Sequence, residues 1–124
     1  MNGTSLFLDT NIIIYFLSGD QTLAELIDEK TLYVSSITYL ELLSYPDLTS
    51  SEEERVRHFL SECIIVDMNN VIKENVISVR KAYHLKLPDS IIIASALYLD
   101  IPIVTADKAF NKVEELATVY YEKL

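Results

Sequence analysis

Four carboxylates in this 124-residue chain stand where a carboxylate is costly. Asp9 is the only charged residue between Met1 and Gly19, Glu41 the only one between Leu32 and Tyr45, and Asp89 the only one between Leu87 and Leu99. Each lies alone in an apolar run that reads as core, with no lysine or arginine in that run to pair with it. A buried carboxylate needs a hydrogen-bond donor, a cation or a proton. Asp107 is the fourth acid and stands two residues past the apolar run Ile101–Thr105. At helical spacing Asp89 shares a face with Ile92, Ile93 and Ala96, and Glu41 has Ile37 and Tyr45 four residues to either side. If the fold gathers these four acids, their repulsion calls for cations. The economical chemistry is then a Mg²⁺ or Mn²⁺ site that activates water and stabilises a pentavalent phosphorus.

The elements that must position these acids alternate. Ser5–Asp9, Thr31–Ser35, Cys63–Asp67, Ile101–Thr105 and Thr118–Tyr121 read as strands. Helical patterns cover Ile12–Leu17, Thr22–Asp28, Ile37–Ser44, a run ending at Ser61, Asn70–Leu85 and Pro88–Leu99, with a loop and short helix over Asp107–Leu116. Thr10 or Asn11, Asp20 and Ser36 are the expected caps, and Ser51 with Glu54 has the spacing of a capping box. The strands are continuous Val, Ile, Leu and Phe runs without polar alternation, the mark of a parallel sheet covered on both faces. The expected class is α/β, one domain over 1–124 with a central sheet of four or five parallel strands. Ligands of such a sheet bind beyond the carboxyl ends of its strands, where strand order reverses. Asp9 and Asp107 belong at that edge, and Glu41 and Asp89 reach it if their helices pack there.

Composition narrows the chemistry further. Half of the residues are hydrophobic, which suits a globular domain. Two glycines, Gly3 and Gly19, cannot build a P-loop or a dinucleotide fingerprint. One cysteine, Cys63, forms no internal disulfide and no thiolate zinc site, and two histidines, His58 and His84, make no three-His centre. The net charge of −9 argues against a protein that coats nucleic acid, but not against one that holds a cation and cuts there. No signal or membrane-spanning segment is visible, and a single thiol suits a reducing compartment, the cytoplasm.

Plainer readings compete residue by residue. An isolated Asp at a strand end or helix start is commonly a cap. Asp67 reads as a turn residue, the two histidines as partly exposed, and Tyr15, Phe16, Tyr39, Tyr45 and Tyr98 as core or interface. Lys81, Lys86 and Lys108 read as solvated charges, yet Lys86 and Lys108 flank Asp89 and Asp107, as phosphate positioning requires.

The motifs around the acids resemble those of the PIN-domain ribonucleases, in particular the small VapC-like toxins of type II toxin–antitoxin pairs. The resemblance runs through L-F-L-D-T-N at Leu6–Asn11, V-S-S-I-T-Y-L-E at Val34–Glu41, L-K-L-P-D-S-I-I-I-A-S-A at Leu85–Ala96 and I-P-I-V-T-A-D-K-A-F at Ile101–Phe110. It covers essentially the whole chain, and the four motifs in this order carry more weight than any one of them. It implies a three-layer α/β/α fold and Mg²⁺- or Mn²⁺-dependent endonucleolytic cleavage of RNA. Asp9, Glu41, Asp89 and Asp107 are then the catalytic and metal-binding acids, with Asn11 and Thr105 in support. It also implies a homodimer and an antitoxin whose basic C-terminal segment covers the acidic groove. One departure is that no second acid closely follows Asp107, its neighbour being Lys108.

Four other readings compete. A free-standing PIN nuclease of RNA processing uses the same site. A PIN fold kept as a binding module would not need the complete acidic set. A receiver-like phospho-acceptor switch would explain Asp67 after I-I-V, but the acidic pair after its first strand and its Lys-Pro are missing, and Glu41 and Asp89 stay unexplained. A haloacid-dehalogenase-type phosphatase needs Asp-x-Asp, and Asn11 stands at the second position.

Overall fold

A computed structural model describes residues 4–123. Five strands, β1 (Ser5–Leu8), β2 (Thr31–Ser35), β3 (Ile64–Val66), β4 (Ile103–Thr105) and β5 (Thr118–Tyr120), form one sheet in the order β3-β2-β1-β4-β5. Every pairing is parallel. The helices are α1 (Thr10–Leu17), α2 (Gln21–Ile27), α3 (Ser36–Leu43), α4 (Ser50–Ser61), α5 (Asn70–Tyr83) and α6 (Leu87–Leu99), followed by a 3₁₀ turn at Lys108–Lys112. The expected α/β class and parallel sheet are observed. None of the described helices is long and apolar enough to cross a membrane.

Period-two alternation divides the strand side chains between two cores. Leu6, Leu8, Val34 and Val104 pack with Ile12, Ile13, Leu23, Leu42, Phe59 and Leu60, beneath α1 to α4. Phe7 and Ile103 point the other way, onto Ile92, Ile93 and Ala96 of α6 and onto Phe110 and Val113. A smaller cluster of Ile72, Val76, Ile91 and Ala94 joins α5 to α6. This is the three-layer arrangement that continuous apolar strands require, since polar alternation would have left one face wet. Every residue of α6 from Ser90 to Ala96 is buried. Its two serines survive there because Ser90 Oγ donates to the Lys86 carbonyl (2.9 Å) and Ser95 Oγ to that of Ile91 (2.7 Å).

Several element ends differ from the sequence expectation. The capping box is Thr49 with Glu52, not Ser51 with Glu54: Thr49 N–H donates to Glu52 Oε1 (3.0 Å) and Glu52 N–H to Thr49 Oγ1 (3.1 Å). Both pairs have the same spacing, and the earlier one gives a helix longer by two residues. Asp9 itself, not Thr10 or Asn11, caps α1, and Ser35 rather than Ser36 caps α3. Helix α5 stops at Tyr83 because His84 takes a left-handed conformation (φ 55°, ψ 42°), which frees Leu85 to enter the core. Thr49→Ala should cost about 1 kcal/mol through loss of the box; urea unfolding at unchanged slope measures it, and an unchanged midpoint would contradict this cap assignment.

Candidate active site

Topology creates the site before any side chain is considered. From β1 the chain winds outward through β2 to β3, then returns by α5 and α6 to place β4 on the other side of β1. Strand order therefore reverses between β1 and β4, and it is beyond the carboxyl ends of strands at such a switch point that open α/β sheets bind ligands. Asp9 directly follows β1, and its N–H continues the pairing by donating to the Val104 carbonyl (3.1 Å). Thr105 ends β4, with Asp107 two residues on.

Asp9 is 5% exposed, and each of its carboxylate oxygens has a donor. Thr10 N–H donates to Oδ1 (2.7 Å), and Thr105 Oγ1 donates to Oδ2 (2.8 Å). Thr105, fully buried, accepts in turn from Asp107 N–H (3.0 Å). One hydroxyl thus joins the first acid to the last. Asp107 is held by Ala109 N–H, which donates to its Oδ1 (2.9 Å) and makes it the cap of the 3₁₀ turn. Asp89 lies in the first turn of α6, where the helix dipole favours negative charge. Glu41 sits mid-helix in α3 and accepts from Thr10 Oγ1 (2.9 Å).

Asp9 and Asp89 carry the field of their acidic neighbours. Burial pushes the Asp9 carboxyl up to about 6, against the pull of the Thr105 and Thr10 hydrogen bonds, and the Asp89 and Asp107 charges raise it further. Asp89 is also raised, first by burial, then by Asp107, with Lys86 opposing and Glu41 adding to the rise. The ion pairs among the described residues are Arg57–Glu53, His58–Glu62 and Lys123–Asp20, and none neutralises these four. A nearly buried carboxylate with like-charged neighbours and no cationic partner fits a hard divalent cation. No three acidic, histidine or cysteine side chains among the described residues converge closely enough to enclose a metal unaided.

The remaining candidates have distinct places. Asn11 is exposed and makes no side-chain hydrogen bond among the described residues. Thr10, which the sequence marked only as a cap, stands between Asp9 and Glu41 instead. Lys86 is the exposed residue preceding α6, near enough to act on Asp89, and Lys108 is exposed directly after Asp107. Asp67 is exposed in a loop, His58 and His84 are exposed, and Tyr45 and Tyr98 lie largely on the surface. Tyr15, Phe16 and Tyr39 pack on the core. Burial and then Glu62 push the Cys63 thiol up to about 11, which disfavours its thiolate. Two surface hollows of about 330 and 960 Å³ lie elsewhere, around α4, and neither is lined by any of the four acids.

Comparison with known proteins agrees with this architecture. A curated-sequence comparison finds no match. Among solved structures, one described as a toxin–antitoxin complex from Klebsiella pneumoniae is similar at TM-score 0.83 and 30% identity, over 95% of this chain and 99% of that one. VapBC2 from Rickettsia felis, bound to a DNA fragment from its promoter, is similar at TM-score 0.80 and 21% identity, over 95% and 99%. DNA-bound VapBC from Salmonella typhimurium gives 0.76 and 20%, over 94% and 97%. The latter two share the fold. The PIN-domain family profile matches residues 6–116, a span that holds all four acids and the whole switch point, and the chain belongs to the PIN-domain family.

Proposed function

We propose that this protein is a Mg²⁺- or Mn²⁺-dependent endoribonuclease, the toxin of a type II VapBC-like pair. The observation that carries the reading is Asp9: buried, unneutralised by any cationic side chain, and within the field of two further carboxylates at the switch point. Membership of a nuclease family and the likeness to the toxin–antitoxin complex from Klebsiella pneumoniae support it.

Asp9 and Asp89 are the main metal ligands, and Glu41 and Asp107 complete the acidic shell directly or through water. A bound divalent cation would neutralise charge and lower the pKa of water at the scissile phosphodiester. Thr105 fixes the orientation of Asp9 and, through the Asp107 N–H, the start of the turn that carries Asp107. Lys86 and Lys108 border the acids and draw the RNA backbone toward them. Asn11 remains a supporting residue by its place next to Thr10, on the exposed side of α1.

The proposed partner is a small antitoxin with a basic C-terminal segment, which complements an acidic crevice on a chain of net charge −9, and the toxin acts as a homodimer in the cytoplasm. Expression should arrest growth, Asp89→Asn should abolish the arrest, and co-expression of the adjacent small reading frame should relieve it. Arrest that persists in Asp89→Asn would contradict the assignment. A wild type that cleaves RNA but neither arrests growth nor has such a neighbour would favour a free-standing processing nuclease.

A further inference from the structure

Thr10 is the first residue of α1, and it touches the site twice. Its N–H donates to Asp9 Oδ1 (2.7 Å), and its hydroxyl lies 2.9 Å from Glu41 Oε1 and 2.9 Å from Thr38 Oγ1. Thr38 and Glu41 are three residues apart on α3, so they share one helix face, and Thr10 inserts between them. A proton count fixes the direction of this chain. A carboxylate only accepts and a threonine hydroxyl has one proton, so Thr10 donates to Glu41 and Thr38 donates to Thr10. Thr38 is fully buried, so its hydroxyl has no water to turn to, and the two hydroxyls polarise each other toward Glu41.

Glu41 needs such a restraint. It has three side-chain torsions and is only partly buried. The hydroxyl occupies Oε1 and leaves Oε2 without a hydrogen-bond partner among the described residues.

We propose that Thr10 is a positioning residue that ties Asp9 to Glu41 across the crevice, with Thr38 orienting its hydroxyl, so that Glu41 presents its second oxygen to the bound cation. This inference rests on the metal-site reading of the same acids. Calorimetric titration of the metal-free protein with Mn²⁺ tests it without a cleavage assay. Thr10→Val and Thr10→Ala should each weaken Mn²⁺ binding about 10-fold, the usual size of effect for a group that orients a ligand. Thr10→Ser should bind as the wild type does, because affinity follows the hydroxyl and not the side-chain volume. In a Glu41→Gln background Thr10→Val should add little, since the two changes remove one interaction. Thermal melting checks that each variant is folded, and Ala and Ser alone carry the comparison if Val is not. Val and Ala variants that bind like wild type, or a Ser variant as weak as Val, would overturn the proposal. Asp9→Asn in the same titration separates the two levels. If it loses Mn²⁺ while Thr10→Val keeps it, only the role of Thr10 falls; if the wild type binds no Mn²⁺, the metal site falls with it.

Discussion

Asp9→Asn is expected to reduce metal-supported RNA cleavage about a thousand-fold or more, equivalent to about 4 kcal/mol of lost transition-state stabilisation. The substitution is close to isosteric. The Asn side-chain oxygen can still accept from Thr10 N–H, and its NH₂ can donate to the one lone pair of the Thr105 hydroxyl that Asp107 N–H leaves open. The fold and the α1 cap therefore persist, and what disappears is the negative charge. Circular dichroism and melting establish that the variant is folded, so that lost cleavage reports chemistry. A folded Asp9→Asn protein with wild-type cleavage would remove Asp9 from the metal site.

The second large effect is on stability and follows from the same buried charge. The Asp9 carboxyl lies near 6 in the fold against an ordinary value of 3.8, so folding disfavours its ionised form. Its contribution to stability is fully present below about pH 4 and is lost as pH rises through about 6. A displacement of roughly two pK units corresponds to about 3 kcal/mol. In EDTA, urea unfolding should show the wild type losing stability relative to Asp9→Asn between pH 4 and pH 7, with Asp9→Asn the more stable at neutral pH. Millimolar Mg²⁺ or Mn²⁺ at pH 7.5 should restore the wild type and leave the variant unmoved, because the cation binds the ionised carboxylate. A difference between the two proteins that stays constant across this range, or a wild type indifferent to metal at constant ionic strength, would contradict the account.

Much of the candidate site could be proposed from the sequence because a charge in an apolar run is expensive, and the chain places Asp9, Glu41 and Asp89 in three such runs. The parallel sheet was legible for a related reason, since the strands show no polar alternation. Strand adjacency was less accessible. Nothing local to Ile103–Thr105 says that it pairs with β1, yet that pairing brings Thr105 onto Asp9. The cap reading of Asp9 and Asp107 was set against the functional one, but both acids are caps at the switch point, since a helix start there offers both N–H donors and a crevice. Thr10 escaped notice because a threonine beside an aspartate at a helix start looks like a cap, and only the packing of α1 on α3 brings it to Thr38 and Glu41. A signal was present in Thr38 standing one turn before Glu41. The helix ends that moved did so for local reasons: two overlapping capping boxes of equal spacing near Ser51, and a left-handed histidine that no glycine announces at residue 84.

If these acids hold the cation at which RNA is cut, cleavage must depend on that cation. The most direct test incubates the purified protein with total RNA in Mg²⁺ or Mn²⁺, with and without excess EDTA, and maps the new ends. Internal cleavage products that require the metal and vanish in EDTA are expected. Cleavage undiminished by EDTA, or none from a folded, metal-supplemented protein, would contradict that expectation.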